Sequence, residues 1–161
     1  MKKILLVVLV SLVFITGCEN REENEKNEYL AMKSDLLETN EYTSFDEMMC
    51  DIVVDINRLD EEQIEYSVSL TNPKEDMDDV KVMVVHNCYT EDIFPTVGLF
   101  DKPTNLYIVS SEEEEKDNDI ELTGVIETTD DIDKLDLELK VLIEYTDKNG
   151  NVKDIYYKTT K

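Results

Sequence analysis

The chain has 161 residues, a mass of 18.7 kDa and 39 acidic against 16 basic side chains, which gives a net charge of −23. This length accommodates one ordinary domain with appended segments and excludes a second core of useful size. The electrostatic field of so negative a chain repels phosphate backbones, which argues against nucleic acid as a partner. It attracts cations and basic polymers, and it also keeps a protein soluble without any binding role.

The N-terminus has the pattern of an export signal. A basic start at Lys2 and Lys3 precedes an apolar run over residues 4–15 that only Ser11 interrupts. A helix of that length extends about 18 Å, which is too short for the ~30 Å hydrocarbon core of a bilayer. The run therefore predicts a cleaved signal peptide over residues 1–17 and not a permanent membrane span.

A cysteine follows the apolar run. Ile15, Thr16, Gly17 and Cys18 resemble the lipobox of bacterial lipoprotein precursors. That resemblance implies that the Cys18 thiol receives a diacylglyceryl group and that the signal is cut just before it. The alternative is cleavage elsewhere, with Cys18 an ordinary thiol. Two acyl chains, at about 0.8 kcal/mol per buried methylene, would hold the mature protein on the extracytoplasmic face of the cell membrane without spanning it.

Residues 18–44 join this anchor to the domain. The segment is polar and charged apart from one apolar set, which is Tyr29, Leu30, Met32, Leu36 and Leu37. Such a composition predicts a flexible tether because it buries little apolar surface, although the helical spacing within the set permits a short helix. As a coil the tether would extend about 28 Å and would lift the domain clear of the lipid headgroups.

From Met48 onward the apolar residues recur with a period of two, which is typical of β-strands. The clearest alternation lies in 135–145, and 80–88 is apolar on both phases, as a central strand is. Gly150 is placed for a positive φ in a turn before the last strand. The sequence predicts seven strands and no helix within the domain, with the strands at residues 50–58, 63–71, 80–88, 106–109, 120–126, 135–145 and 152–159.

Seven short strands separated by turn signals predict an all-β antiparallel sandwich over residues 45–161. The span 48–160 resembles the immunoglobulin-like or fibronectin type III class, which occurs on many bacterial surface lipoproteins. The resemblance lies in the strand pattern. The chain has no Trp, and no tyrosine corner precedes the penultimate strand. These absences argue against the antibody branch and leave the topology open.

Two cysteines remain besides Cys18. In an exported domain Cys50 and Cys88 could form a disulfide, but strands running up, down and up would separate them by about 26 Å. Two buried free thiols are therefore the competing prediction. Thiolate, thioether and imidazole groups suit a copper(I) site, and the candidate ligands are Met48, Met49, Cys50, His86 and Cys88. The alternative is a structural histidine, and no cofactor is predicted.

Carboxylates cluster in the loops. Several on one loop could bind Ca²⁺, which prefers six to eight oxygen ligands. The candidates are Glu112, Glu113, Glu114, Glu115, Asp117 and Asp119, with a second cluster at Asp130, Asp131 and Asp133. No EF-hand spacing is present, because the DKNGN stretch at 147–151 lacks the closing Glu. The competing interpretation is solvated loops that prevent association between sheet edges.

Residues 89–105 form a long connection that is unusually apolar. Pro95, Gly98 and Pro103 oppose regular structure there. A loop of this kind either packs over a sheet edge or binds a partner. Aromatic anchors dominate protein interfaces, so the candidate partner-binding residues are Phe94, Leu99 and Phe100.

No hydrolase, metalloprotease or phosphate-loop motif occurs, so the sequence does not predict an enzyme. The leading expectation is a membrane-anchored extracytoplasmic lipoprotein whose acidic sandwich binds an unknown protein or envelope ligand noncovalently. The charge favours a cationic ligand. The first alternative is a Ca²⁺-binding envelope protein that uses the acidic loops. The second is a metallochaperone or enzyme centred on the candidate copper(I) ligands.

Overall fold

Eight β-strands and one α-helix make up the described residues, 21–108 and 119–161, of this computed structural model. Helix α1 covers residues 21–38, and two short 3₁₀ turns lie at Phe45–Glu47 and Ile132–Lys134. The strands are β1 (Asp51–Arg58), β2 (Gln63–Thr71), β3 (Met77–His86), β4 (Thr96–Val97), β5 (Thr104–Leu106), β6 (Ile120–Glu127), β7 (Glu138–Thr146) and β8 (Val152–Thr160).

The strands form two antiparallel sheets. One sheet has the order β1-β2-β6, and the other has the order β4-β3-β7-β8 with β5 also paired to β3. Alternate residues of β2, β6 and β7 are buried, as expected for strands that turn one face to a shared core. The fold is therefore mostly β and sandwich-like, and it is not a closed barrel.

The long strands of the structure correspond to those the alternating pattern predicts. The turn before β8 is also confirmed, since Gly150 has a φ of 79° and the Asp147 carboxylate accepts backbone N–H groups from Asn149 and Asn151. The connection 89–105 differs, because it contains β4 and the start of β5. Strand β4 was missed, and the strand predicted at 106–109 overlaps β5 only at Leu106, because Pro95, Gly98 and Pro103 mask a pattern of only two or three residues.

Helix α1 departs from the predicted flexible tether. It packs on the face of the five-stranded sheet that points away from the other sheet, in a cluster formed by Tyr29, Met32, Leu36, Met83, Val85, Phe94, Leu99 and Leu142, with Tyr156 at its border. The composition of the segment misled the prediction, because the apolar surface that orders the helix is supplied mainly by the sheet. The all-β expectation is corrected for the same reason.

Polar contacts also hold α1 on the sheet. Lys81 of β3 forms ion pairs with Glu28 of the helix and, at 2.9 Å, with Glu144 of β7. At the helix C-terminus, Lys140 Nζ donates to the carbonyl oxygens of Leu37 at 3.1 Å and Thr39 at 3.3 Å. A cation at this end satisfies carbonyls that have no partner within the helix.

Several predicted features lie outside the described residues. These are the signal peptide, Cys18, and the loop carboxylates Glu112, Glu113, Glu114, Glu115 and Asp117. Asp119 is described and is exposed just before β6. Within 21–108 and 119–161, no helix combines the length and the hydropathy needed to cross a bilayer.

Candidate functional site

A cleft opens where the two sheets end side by side. Strand β6 is an edge strand of the three-stranded sheet, and β4 is an edge strand of the five-stranded sheet. Between β6 and the segment 89–95 lies a cavity of about 340 Å³, which we call the His86 cavity. Its lining residues are Tyr66, His86, Thr90, Asp92, Ile93, Phe94, Pro95, Thr123, Gly124 and Val125. This volume lies at the lower end of the range for small-molecule and side-chain pockets.

Tyr66 reaches this cavity because the strand opposite it carries a glycine. Tyr66 of β2 and Gly124 of β6 are direct cross-strand partners, so their side-chain positions share the core face. A Cβ atom at position 124 would overlap the Cζ and Oη atoms of the tyrosine. The ring therefore lies across the glycine, and its hydroxyl ends at the cavity.

His86 is the last residue of β3 and is only 6% exposed. Its Nδ1 atom lies 3.2 Å from the backbone oxygen of Cys88. Because a carbonyl oxygen only accepts, Nδ1 carries the proton and the neutral ring presents Nε2 as an acceptor. Burial lowers the pKa of the imidazole, and the bond to Cys88 opposes that shift less strongly. The ring is held between the edges of Tyr66 and Phe94, with centroids 5.6 and 5.0 Å away.

Two polar atoms at the floor of the cavity have no internal partner. Among the described residues, no group hydrogen-bonds to His86 Nε2 or to Tyr66 Oη. No fully sealed side-chain N or O atom in this part of the chain lacks a partner, so both atoms open into the cavity. Burial raises the pKa of the Tyr66 phenol, which therefore remains a donor. The floor thus offers a hydroxyl, which can donate or accept, and an imidazole nitrogen that accepts.

An acidic groove continues from the cavity along the end of β6. It consists of two adjoining depressions of about 500 and 320 Å³ that share Gln63 and Glu127. The first also shares Thr90, Asp92 and Val125 with the His86 cavity. No Lys or Arg is among the described residues that line the groove, whereas four exposed carboxylates do so: Glu62, Glu91, Asp92 and Glu127.

The residues considered for copper(I) take up different environments. Met48 and Cys50 are buried in the core between the sheets, Met49 and Cys88 pack at its border, and His86 belongs to the cavity. Cys50 and Cys88 are both free thiols. Across the described ranges, no group of three or more His, Cys, Asp or Glu side chains is arranged to hold a metal ion.

Two of the three aromatic and apolar anchors predicted for a partner are internal. Phe94 and Leu99 are buried under α1, and the Phe94 amide donates to Tyr29 Oη at 3.0 Å. While the helix is docked it covers Leu99, whereas Phe94 also lines the His86 cavity, and partner binding by either residue stays a prediction. Phe100 remains 48% exposed, and its ring contacts Tyr29 with centroids 5.6 Å apart.

Sequence reasoning did not select Tyr66, Gly124 or Val125 as site residues. Tyr66 looked like an ordinary member of an alternating strand, and Val125 like its solvent-facing counterpart. One signal was present, because a glycine inside a strand pattern often marks a close approach of another group. Gly124 interrupts the alternation of β6 at the position where the Tyr66 ring crosses the strand.

Comparisons with known proteins do not identify a family for this chain. No family model matches it, and no match is found among curated proteins or among solved structures. What the protein does is therefore inferred from the geometry of the cleft and from the N-terminal sequence.

Proposed function

We propose that this protein is a lipid-anchored extracytoplasmic binding protein that holds a ligand noncovalently in the cleft formed by the His86 cavity and the acidic groove. One observation carries the proposal: His86 Nε2 and Tyr66 Oη lack partners among the described residues, although both rings are more than nine-tenths buried. Because both atoms are open to the cavity and have no protein partner there, a ligand that enters the cavity can hydrogen-bond to them in exchange for water. The proposed role is noncatalytic.

The proposed fold class is immunoglobulin-like. Among the six long strands, the first, second and fourth form one sheet, and the third, fifth and sixth form the other. This partition supports the proposal, because immunoglobulin-like sandwiches divide their strands A, B, E and C, F, G in the same way. Such sandwiches present binding surfaces at their strand edges and loops without needing catalytic residues.

The anchor is proposed at Cys18 from the lipobox-like residues 15–18. Helix α1 is present from residue 21, so the chain between Cys18 and the start of the helix can add no more than about 11 Å. The sandwich would then sit close to the membrane surface, in place of the 28 Å stand-off expected of a coil. Removal of residues 1–17 would take away two lysines and no acid, which leaves a net charge of −25 to repel anionic headgroups.

Site-specific photo-crosslinking in living cells tests binding at the cleft. A benzophenone amino acid replaces Val125, which is exposed on β6 and lines both the His86 cavity and the acidic groove. We expect a discrete crosslinked species, because a ligand in the cleft would lie against this side chain. The species is detected as a shift in mass of the immunoprecipitated protein.

The matched control places the same amino acid at Val152. This valine is also exposed, but it begins β8, the strand at the opposite edge of the five-stranded sheet. The proposal predicts no discrete species from position 152. Equal yields at the two positions, or none at position 125, would show that the cleft is not a preferred binding surface.

A further inference from the structure

We infer that the occupant of the cleft is an extended basic peptide segment, which adds as a new strand to the outer edge of β6 and inserts one uncharged polar side chain into the His86 cavity. The inference rests on the proposed function and names the class of partner. It draws on three independent features of the cleft, which are its free strand edge, its charge and its polar floor.

The strand edge is the first feature. Within the described residues, β6 pairs with β2 on one side and with no strand on the other. In an antiparallel ladder, alternate residues turn their N–H and C=O groups away from the partner strand. Strand β4 approaches part of this edge without pairing to it, and the part that borders the cleft is residues 123–127. The outward N–H and C=O groups of that part are donors and acceptors that an extended peptide can satisfy.

Charge complementarity selects the composition of that peptide. The acidic groove is lined by Glu62, Glu91, Asp92 and Glu127, and none of its described lining residues is Lys or Arg. Arg58 lies at the far end, where its guanidinium donates to the Thr128 carbonyl oxygen, so the four carboxylates still outnumber the nearby cation. Such an excess of negative charge attracts a basic segment and opposes an acidic one. An exposed apolar side chain on either wall, Val125 and Ile93, provides contact for the uncharged residues of an alternating sequence.

The floor of the His86 cavity selects the inserted side chain. The Tyr66 hydroxyl can donate and His86 Nε2 can accept, so a group that carries both an acceptor and a donor can pair with both. The carboxamide of Asn or Gln fits this requirement, and it carries no charge into the aromatic walls. From the cavity at Gly124 to the far end of the groove at Thr129, an extended chain of about six residues covers about 20 Å.

Selection from a phage-displayed library of random dodecapeptides tests the inference on the mature protein purified from cells. We expect enriched peptides in which Lys or Arg alternates with apolar residues next to an Asn or Gln. The affinity of a synthetic enriched peptide is then measured by fluorescence anisotropy. The double variant Glu91→Lys, Glu127→Lys should lower that affinity at least tenfold, because it reverses two groove charges.

The matched control is Asp46→Lys, Asp55→Lys, which makes the same change in net charge at exposed positions that do not line the cleft. The control should lower the affinity less than threefold. Strand addition further predicts that alternate amides of β6 exchange with solvent more slowly when the peptide is bound. Slower exchange would support pairing, since free edge amides are otherwise open to water.

Three results would overturn the inference: no enrichment, equal losses of affinity in the two double variants, or unchanged exchange in β6. Equal losses would mean that the peptide responds to net charge alone. If crosslinks form at position 125 while the library yields nothing, strand addition by a basic peptide is wrong and the proposed binding role stands. If both experiments are negative, the proposed function fails as well.

Discussion

Replacing Gly124 by valine is expected to lower the free energy of unfolding by about 3 kcal/mol, because the new side chain would occupy space held by the Tyr66 ring. Both positions share the core face as cross-strand partners, and the Tyr66 side chain is 1% exposed. Relief requires the ring to leave its rotamer or the two strands to separate. Urea unfolding of the mature protein, followed by circular dichroism, measures the change.

The neighbouring substitution Thr123→Val provides the control. Thr123 is exposed on β6, and valine there should change the stability by less than about 0.5 kcal/mol. The double variant Tyr66→Val, Gly124→Val should be less destabilised than the sum of its single changes, because two valines can pack as a cross-strand pair. Additive losses in that double variant would contradict the close packing of the ring on the glycine.

Truncating Leu36 to alanine is expected to cost about 3 kcal/mol, whereas the same truncation of Leu37 should cost less than about 1 kcal/mol. The two leucines are adjacent in α1, yet Leu36 is fully buried between the helix and the sheet, whereas Leu37 is 46% exposed. The pair therefore isolates the contribution of helix docking from that of helix propensity, which is the same for both changes.

Thermal unfolding of the two variants, together with amide exchange in α1, measures this difference. Leu36→Ala should lower the melting temperature and speed exchange in the helix, and Leu37→Ala should do neither to a comparable extent. If residues 21–38 were a flexible tether, both truncations would leave the melting temperature unchanged. That result would support the flexible tether that the composition of the segment predicted.

The two sheets could be predicted from the sequence because strand patterning is local. Every second residue of β7 is apolar, and this alternation survives whatever surrounds the strand. The same reasoning identified β3 as a central strand, since the run 82–85 within it is apolar on both phases. The short strands β4 and β5 carry too few residues to show a period, and they exist because β3 is available to pair with them.

Docking of the helix could not be predicted from residues 19–44 alone. Three buried side chains in that segment, Tyr29, Met32 and Leu36, are too few to order it without a partner surface. The partner surface was visible elsewhere in the sequence. A strand that is apolar on both phases requires cover on both faces of its sheet, and α1 supplies the second cover over Met83 and Val85.

The candidate cleft lay further beyond sequence reasoning. His86 was identified by residue type, but its cavity depends on Tyr66 and Gly124 from the other sheet, which only the folded arrangement brings near it. The sequence did select Phe94, which lines this cavity, but it did not indicate the helix that packs over Phe94 and Leu99. Their apolar character marked a contact surface, and the surface that covers them is the chain's own helix.

The proposed function depends most on the proposed lipid at Cys18, because such an anchor would determine on which side of the membrane the cleft lies and which partners it meets. Metabolic labelling with an alkyne analogue of palmitate, followed by immunoprecipitation and fluorophore coupling, tests it directly. The account predicts labelling of the wild-type protein and of Cys88→Ser, and no labelling of Cys18→Ser. An unlabelled wild-type protein, or a Cys18→Ser variant labelled as strongly as the wild type, would contradict it.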